Sequence, residues 1–238
     1  MPINSFDYQI STSLNHLCRK YEIFDRMIVM LSDNHLLKGG VLMLIIWYLW
    51  YQPGKDKRNA QSRVGIISAF LSSFISIFIV RILPKVMEFR ARPILNPDNH
   101  FIEPYGINRN IFDNQTSMPS DHCSLFFALA TGIFFISRRW GIVAIAYVLL
   151  FISFPRLYLG LHYATDILAG AGIGILFAVI ANSKVFRSMV SEKIHQLSIS
   201  HTAVFYMVFF FISYEIVEMF TSLRHIATFM LHPSTFQL

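Results

Sequence analysis

The sequence predicts an all-α polytopic membrane protein with six transmembrane helices and an N-terminal amphipathic helix in the membrane interface. Of its 238 residues, 54% are hydrophobic and only 14% are charged, and the mean hydropathy is +0.49. A soluble domain carries about 25% charged residues. A bilayer is therefore the simplest cover for the excess of apolar side chains. Six apolar segments and one amphipathic stripe supply the predicted helices.

The first element is an amphipathic segment, which we assign to residues 1–36. Apolar residues recur at steps of three or four from Ile3 to Leu31, which is one stripe of a helix. Polar residues fill much of the remainder, so the helix would lie in the interface rather than cross the membrane. Packing of the same stripe on the helical bundle is an equal alternative. The basic start of a cleaved signal peptide is not seen.

The membrane domain is predicted at 37–222, and a short tail at 223–238. Its six apolar segments lie at 37–52, 64–84, 121–137, 141–155, 166–182 and 202–222. Several are shorter than the about 20 residues that cross hydrocarbon. Polar residues precede the segments at 121–137 and 166–182. If these residues begin the helices, the lengths become adequate and polar groups gather at one membrane face.

Charge distribution predicts the orientation of the chain. With the N-terminus outside, the inner loops hold nine of the 20 basic residues but only two of the 14 acidic residues. This positive-inside bias places the loops 85–119 and 156–162, and both termini, outside the cytoplasm. The net charge of +6 is spread between apolar runs, so we expect no nucleic-acid partner. The two cysteines show no metal-binding spacing.

The first polar cluster on the outer face contains Lys85 and the Arg92-Pro93 pair. Lys85 and Arg92 are seven residues apart, which predicts that they share one helix face two turns apart. Two cations on one face can hold an anion with several oxygens. The alternative is a structural pair between Glu88 and Arg92 beside a membrane helix.

The second cluster is Pro119-Ser120-Asp121-His122, just before an apolar run. Ser120 is a natural N-cap and Asp121 suits the helix dipole, so capping accounts for both residues without any chemistry. The free N–H groups of a helix start also bind phosphate. His122 has no role in capping and is a candidate proton donor near neutral pH.

The third cluster contains Arg156, His162 and Asp166. His162 and Asp166 are four residues apart on one helical face, so the carboxylate can accept a proton from one imidazole nitrogen and leave the other as a nucleophile or base. Arg156 lies upstream, where it can hold an oxyanion. A structural His–Asp pair is the alternative. An ionisable pair at a membrane helix end is costly, which favours a function.

Together the clusters supply three cations, two histidines, a carboxylate and a helix N-terminus at one face. These are the groups that phosphoryl transfer through a covalent histidine requires, because positioning and charge stabilisation dominate that chemistry. The sequence has no cluster of carboxylates for two metals. We therefore expect neither a metal nor another cofactor.

In this order, the clusters resemble the signature of the type 2 phosphatidic acid phosphatase family, K-x6-RP, then PSGH, then SR-x5-H-x3-D. The resemblance implies that His162 attacks phosphorus and forms a phosphohistidine. It implies that Asp166 orients His162 and that His122 protonates the leaving oxygen. The phosphate oxygens would be bound by Lys85, Arg92, Ser120 and Arg156.

Two residues depart from the signature. Asp121 replaces the usual glycine, and Pro155 replaces the usual serine. The aspartate form resembles the undecaprenyl-pyrophosphate phosphatases of the bacitracin-resistance type, which implies a polyprenyl pyrophosphate substrate and a bacterial plasma membrane. Asp121, with its neighbour Pro119, is a candidate modulator of the site. Its charge would favour protonated His122, or equally attract a divalent ion.

Other functions remain open from the sequence. The same chemistry would suit phosphatidic acid, phosphatidylglycerol phosphate or lipid A. A six-helix anion transporter or channel is the alternative of another class, whereas a soluble vanadate-dependent haloperoxidase-like protein conflicts with the six apolar segments. Glu215 and Glu218 lie in the last apolar segment. The sequence allows them to face the site, to pair with Arg81 or to reach the interface. We favour the pairing with Arg81, because buried carboxylates need partners.

Overall fold

A computed structural model describes residues 3–52, 56–108 and 115–231, and the described residues form helices but no strands. The all-α prediction is therefore confirmed for this part of the chain. The ten helices described are α1 (Ser5–Asn15), α2 (Glu22–Asp33), α3 (Leu36–Tyr51), α4 (Asp56–Ile82), α5 (Asp121–Ile136), α6 (Arg138–Tyr158), α7 (Ala164–Ala181), α8 (184–200), α9 (Thr202–Val217) and α10 (Thr221–Leu231). The last residues of the predicted tail, 232–238, lie outside the described residues.

All six predicted apolar segments are helical, but they differ in length. Three helical stretches are long and apolar enough to cross a membrane: Asn59–Lys85, Arg138–Tyr158 and Ala164–Ala181. Helices α2 and α3 are together long and apolar enough to form one further span, with a bend of 70° between them. Helices α5 and α9 have 16 residues each, which is short of the about 20 that span hydrocarbon. The structure thus supports a multi-pass membrane protein with three or four candidate spans rather than six.

The central helix of the bundle is α5, which packs against α4, α6 and α7. Small residues permit these contacts, as is typical of membrane helix pairs. A Cβ atom at Gly170 of α7 would lie 2.3 Å from the carbonyl oxygen of Ser120, and one at Gly132 of α5 would lie 2.3 Å from Ala69 Cβ. The close approach at Gly170 places the starts of α5 and α7 side by side, where the predicted polar clusters lie.

The N-terminal segment is two helices, not the single helix predicted from its stripe. The chain turns between α1 and α2, where Arg19 takes a φ of +61°. The side chains that these helices bury are mainly polar, including Asp7, Asn15 and Asp25. Their exposed face is apolar and includes Phe6, Tyr8, Tyr21, Ile23, Met27 and Met30. The polar face packs on the bundle, and the interfacial location of the apolar face stays a prediction.

The first cluster differs from the sequence prediction. Helix α4 ends at Ile82, a 3-10 turn covers Leu83–Lys85, and residues 88–92 are not helical. Lys85 and Arg92 therefore do not share a helix face. Pro84 explains the early end, because proline lacks the N–H donor that would continue the helix and disfavours helical geometry in the residue before it.

Three backbone hydrogen bonds join the segments that carry the clusters. The N–H of Ser117 donates to the carbonyl of Arg90 at 2.9 Å, and the N–H of Ile94 donates to the carbonyl of Gly160 at 2.9 Å. The N–H of Ser120 donates to the carbonyl of Asp166 at 3.1 Å. The loop after α4, the start of α5 and the start of α7 are thereby held together at one end of the bundle.

Candidate active site

Two cavities lie where these segments meet, with volumes of about 440 and 370 Å³. The larger cavity is lined by His122 and Arg156, and the smaller by Arg92 and His162. Arg81 and Asp121 line both cavities, and their side chains approach to 3.7 Å. These two residues thus form a shared wall between the two predicted reactive histidines.

His162 is held as a neutral imidazole in the smaller cavity. Its Nδ1 atom lies 2.7 Å from the carbonyl oxygen of Ser117, which can only accept a hydrogen bond. Nδ1 therefore carries the proton and Nε2 carries the free lone pair. Burial, aided by the charge of Arg92, holds the pKa of His162 well below its usual range. A neutral imidazole with a free nitrogen is suited to nucleophilic attack.

The tautomer of His162 is fixed by a different group from the one predicted. Asp166 Oδ2 lies 3.9 Å from His162 Nδ1, beyond hydrogen-bond distance. The same oxygen accepts a 2.7 Å hydrogen bond from the N–H of Tyr163 at the start of α7. The Ser117 carbonyl takes the predicted place of the carboxylate, and Asp166 acts on His162 only at longer range.

His122 in the larger cavity has partners on both ring nitrogens. Nδ1 lies 2.8 Å from Asp121 Oδ1 and donates to it. Nε2 lies 2.6 Å from Arg156 Nη2, an obligate donor, so Nε2 accepts. Arg156 also donates to the carbonyl of Ser32 at 3.1 Å. Arg156 therefore holds His122 in its neutral form.

The remaining predicted phosphate ligands occupy different positions. Arg92 is buried at the smaller cavity, donates to the carbonyl of Leu161 at 3.1 Å, and has its pKa lowered by burial to about 10, so it stays charged. The side chain of Ser120 is fully buried and accepts from the N–H of Cys123, as the capping alternative expects. Lys85 is exposed, and neither Lys85 nor Ser120 is among the residues that line the two cavities.

A comparison with protein families decides the affiliation of the chain. The family described as the PAP2 superfamily matches residues 65–189, more than half of the sequence. The chain belongs to the PAP2 superfamily. The matched range contains all three polar clusters and helices α5, α6 and α7. The resemblance inferred from the sequence is therefore confirmed.

Named relatives of this PAP2 chain come from three bacteria. It is 22% identical over 174 residues to undecaprenyl-diphosphatase BcrC of Bacillus subtilis (strain 168), covering 73% of this chain and 81% of that protein. It is 27% identical over 175 residues to the bacitracin transport permease protein BcrC of Bacillus licheniformis, covering 70% and 74%. It is 27% identical over 156 residues to YbjG of Escherichia coli (strain K12), covering 66% of this chain and 71% of that protein.

No solved structure matches the chain significantly. The family and the names of the relatives support a lipid phosphate hydrolase, which is the enzyme class that the sequence predicts.

A buried ion cluster beside the PAP2 site was not predicted from the sequence. The guanidinium of Arg90 pairs with the carboxylate of Asp166 and, at 2.6 Å, with that of Asp7 in α1. Thr165 donates its N–H to Asp7 at 2.9 Å. Arg90 also lies over the ring of Tyr163, 4.4 Å from its centroid. Arg90 falls between the two matched residues of the first motif, and nothing in the sequence links Asp7 to a site more than 80 residues away.

Two further residues at the site were missed or misassigned. Lys38, near the start of α3, is buried and lines the larger cavity; a lysine within an apolar run is a signal that could have identified it. Arg81 donates to the carbonyl of Met219 at 2.7 Å and approaches Asp121. The predicted pairing of Arg81 with Glu215 or Glu218 is thus wrong, because a backbone carbonyl and Asp121 lie nearer. Glu218 instead lies 3.8 Å from His35.

Proposed function

We propose that this protein hydrolyses a polyprenyl pyrophosphate, with undecaprenyl pyrophosphate as the prime candidate, to the monophosphate and inorganic phosphate. The observation that carries the proposal is the pair of cavities that share the Arg81–Asp121 wall, with a neutral histidine on each side. The relative named undecaprenyl-diphosphatase supports the choice of substrate. A pyrophosphate also offers two charged groups for two adjoining cationic cavities.

In the first step, Nε2 of His162 attacks the terminal phosphorus. The bond from that phosphorus to the bridging oxygen breaks, and the electron pair leaves with the lipid monophosphate. Arg92 lines the same cavity and neutralises charge on the transferring phosphoryl oxygens. Because the carbonyl of Ser117 accepts the hydrogen bond from Nδ1, the lone pair on Nε2 is available for this attack.

The proton for the leaving oxygen comes from His122. An anion in the larger cavity draws Arg156 away from His122 Nε2, because a phosphate oxygen is a stronger acceptor for guanidinium than a neutral imidazole. The freed Nε2 then takes up a proton, and Asp121 stabilises the resulting imidazolium through Nδ1. In the second step water attacks phosphorus and gives a proton to His122 Nε2, the P–N bond breaks, and its electron pair returns to His162 Nε2 as inorganic phosphate is released.

We place the enzyme in a bacterial plasma membrane with both cavities on the extracytoplasmic side. The support is the excess of basic residues in the loops at the opposite ends of the helices. The lipid tail leaves the site toward the bilayer, and the apolar face of α1 and α2 lies in the interface beside it. Accessibility of introduced cysteines to a membrane-impermeant reagent tests this orientation.

The proposal is tested with purified protein in detergent and undecaprenyl pyrophosphate labelled with ³²P in its terminal phosphate. Wild-type protein is expected to release labelled phosphate and, on rapid quenching, to carry an acid-labile, base-stable label. The His162→Ala variant should release none and carry no label. His201→Ala is the matched control, because His201 is exposed at the junction of α8 and α9 and lies outside both cavities.

The same assay separates the alternatives. Faster initial rates with phosphatidic acid, phosphatidylglycerol phosphate or lipid A than with undecaprenyl pyrophosphate would replace the proposed substrate but keep the mechanism. Phosphate release by folded His162→Ala protein at the wild-type rate would refute the covalent histidine. An anion transporter would move phosphate across vesicles without cleaving any of these lipids.

A further inference from the structure

The larger cavity contains a buried cation that the proposed chemistry does not use. Lys38 lies in the π-helical turn that opens α3, Leu36–Gly40, and only 6% of the residue is exposed. Its side chain lines the cavity together with His122 and Arg156. A buried ammonium is costly unless an anion compensates it. No side-chain hydrogen bond or ion pair to this lysine is found among the described residues.

The carboxylates that line this cavity are engaged elsewhere or lie at its rim. Asp121 accepts from His122 and approaches Arg81, and Glu218 lies beside His35. Asp33 is exposed at the end of α2. The cavity therefore presents the ammonium of Lys38 and the guanidinium of Arg156 to its interior. The carboxylates of Asp33, Asp121 and Glu218 act on the lysine from beyond ion-pair distance.

The position of Lys38 relative to His122 and His162 indicates which part of the substrate it could bind. In the proposed reaction the transferred phosphoryl group lies at His162 in the smaller cavity, whereas His122 protonates the bridging oxygen from the larger one. The second phosphate of a pyrophosphate, which stays on the lipid, must then extend past the Arg81–Asp121 wall on the His122 side. Lys38 and Arg156 line that side.

We propose that Lys38 is part of a second phosphate subsite, which binds the phosphate that remains on the lipid and makes the enzyme prefer pyrophosphates to monophosphates. This inference rests on the proposed function. A monophosphate lipid places its only phosphate at His162 and leaves the subsite without a charged ligand. Lys38 therefore discriminates between the two substrate classes and takes no part in bond breaking.

The test compares Lys38→Gln with wild type on two lipids with the same prenyl chain, farnesyl pyrophosphate and farnesyl monophosphate. Loss of a buried charged hydrogen bond is expected to lower the ratio of the two kcat/KM values, pyrophosphate over monophosphate, by roughly tenfold to 100-fold. Lys38→Arg should restore most of the ratio. Lys184→Gln is the matched control, because Lys184 is exposed at the start of α8.

A second measurement needs only wild-type protein. Inorganic pyrophosphate fills both cavities and should inhibit competitively at a concentration at least about tenfold lower than inorganic phosphate. Equal inhibition by the two ions, or an unchanged substrate ratio in folded Lys38→Gln protein, would overturn the subsite. Those results would leave the proposed function intact, whereas wild-type protein that releases no phosphate from undecaprenyl pyrophosphate would refute the function itself.

Discussion

The ion cluster of Arg90, Asp7 and Asp166 offers a sharp test of how the N-terminal helix supports the site. All three side chains are almost completely buried, and Arg90 is the cation between two carboxylates. Arg90→Met keeps a side chain of similar length but leaves both carboxylates without their counter-ion. Removing one partner of a buried ion pair costs about 3–5 kcal/mol of unfolding free energy. We expect a loss in that range, which is more than 100-fold in the unfolding equilibrium.

The matched control is Arg26→Met. Arg26 pairs with Glu22 at 2.8 Å on the surface of α2, where both side chains are more than half exposed. Exposed pairs contribute about 0–1 kcal/mol, so the same chemical change should cost little there. Both variants are unfolded in detergent by titration with SDS and followed by tryptophan fluorescence, and phosphate release is measured alongside.

The result that would refute this reasoning is an Arg90→Met protein whose unfolding free energy lies within about 1 kcal/mol of Arg26→Met. A further expectation concerns catalysis. Asp166 is held by Arg90 and by the N–H of Tyr163, directly after His162. Folded Arg90→Met protein should therefore show a larger fall in kcat than rise in KM, since His162, the proposed nucleophile, is misplaced while the cavities remain.

Three other predictions follow from single residues. Burial depresses the pKa of His162, so as the pH falls the unfolded chain takes up this proton before the folded protein does. The contribution of neutral His162 to the unfolding free energy is therefore present above about pH 6.5 and is lost at lower pH. Between pH 7.5 and 5.5 the unfolding free energy of wild type should fall by about 1.4 kcal/mol more than that of His162→Gln. Gly170→Ala should cost about 1–3 kcal/mol and lower activity, because its Cβ would meet the Ser120 carbonyl, whereas Gly172→Ala, with open space around its Cβ, should not destabilise the protein. Burial raises the pKa of the Cys18 thiol to about 11, so iodoacetamide at pH 8 should modify Cys18 only after unfolding; rapid labelling of folded protein would contradict this.

The helices and most of the site could be predicted from the sequence for identifiable reasons. Apolar runs of this length favour buried or lipid-facing helices over strands, and all six segments are helical in the structure. Polar residues at the starts of two such runs placed His122 and His162 at one end of the bundle. Their convergence follows because α5 and α7 pack side by side, with their starts joined by the Ser120–Asp166 backbone hydrogen bond.

The errors have physical causes that the sequence does not display. A seven-residue spacing suggested a helix between Lys85 and Arg92, but Pro84 ends the helix and the chain turns into a loop. For the stripe in residues 3–31, packing of the apolar residues on the bundle is an equal alternative to an interfacial location. In the structure the polar face is buried instead, because Asp7 and Asp25 find partners in distant segments, Arg90 and Tyr105. Such pairings depend on tertiary contacts and have no signature in local periodicity.

The two histidines are held by different kinds of acceptor, and this difference suits the different tasks that we propose for them. His162 donates to a neutral carbonyl, which fixes the tautomer but stabilises an imidazolium less than a carboxylate would, so the proposed nucleophile stays unprotonated. His122 donates to Asp121, a full negative charge that stabilises an imidazolium once Arg156 turns to an anion. In the proposed reaction, the aspartate that replaces the glycine of the family signature therefore makes His122 an acid only when the larger cavity is occupied. Asp121→Asn should consequently slow the pyrophosphate reaction most at high pH, because His122 without the charge of Asp121 has already lost its proton there. A pH profile of kcat that is the same as in wild type would show that proton donation by His122 does not depend on Asp121.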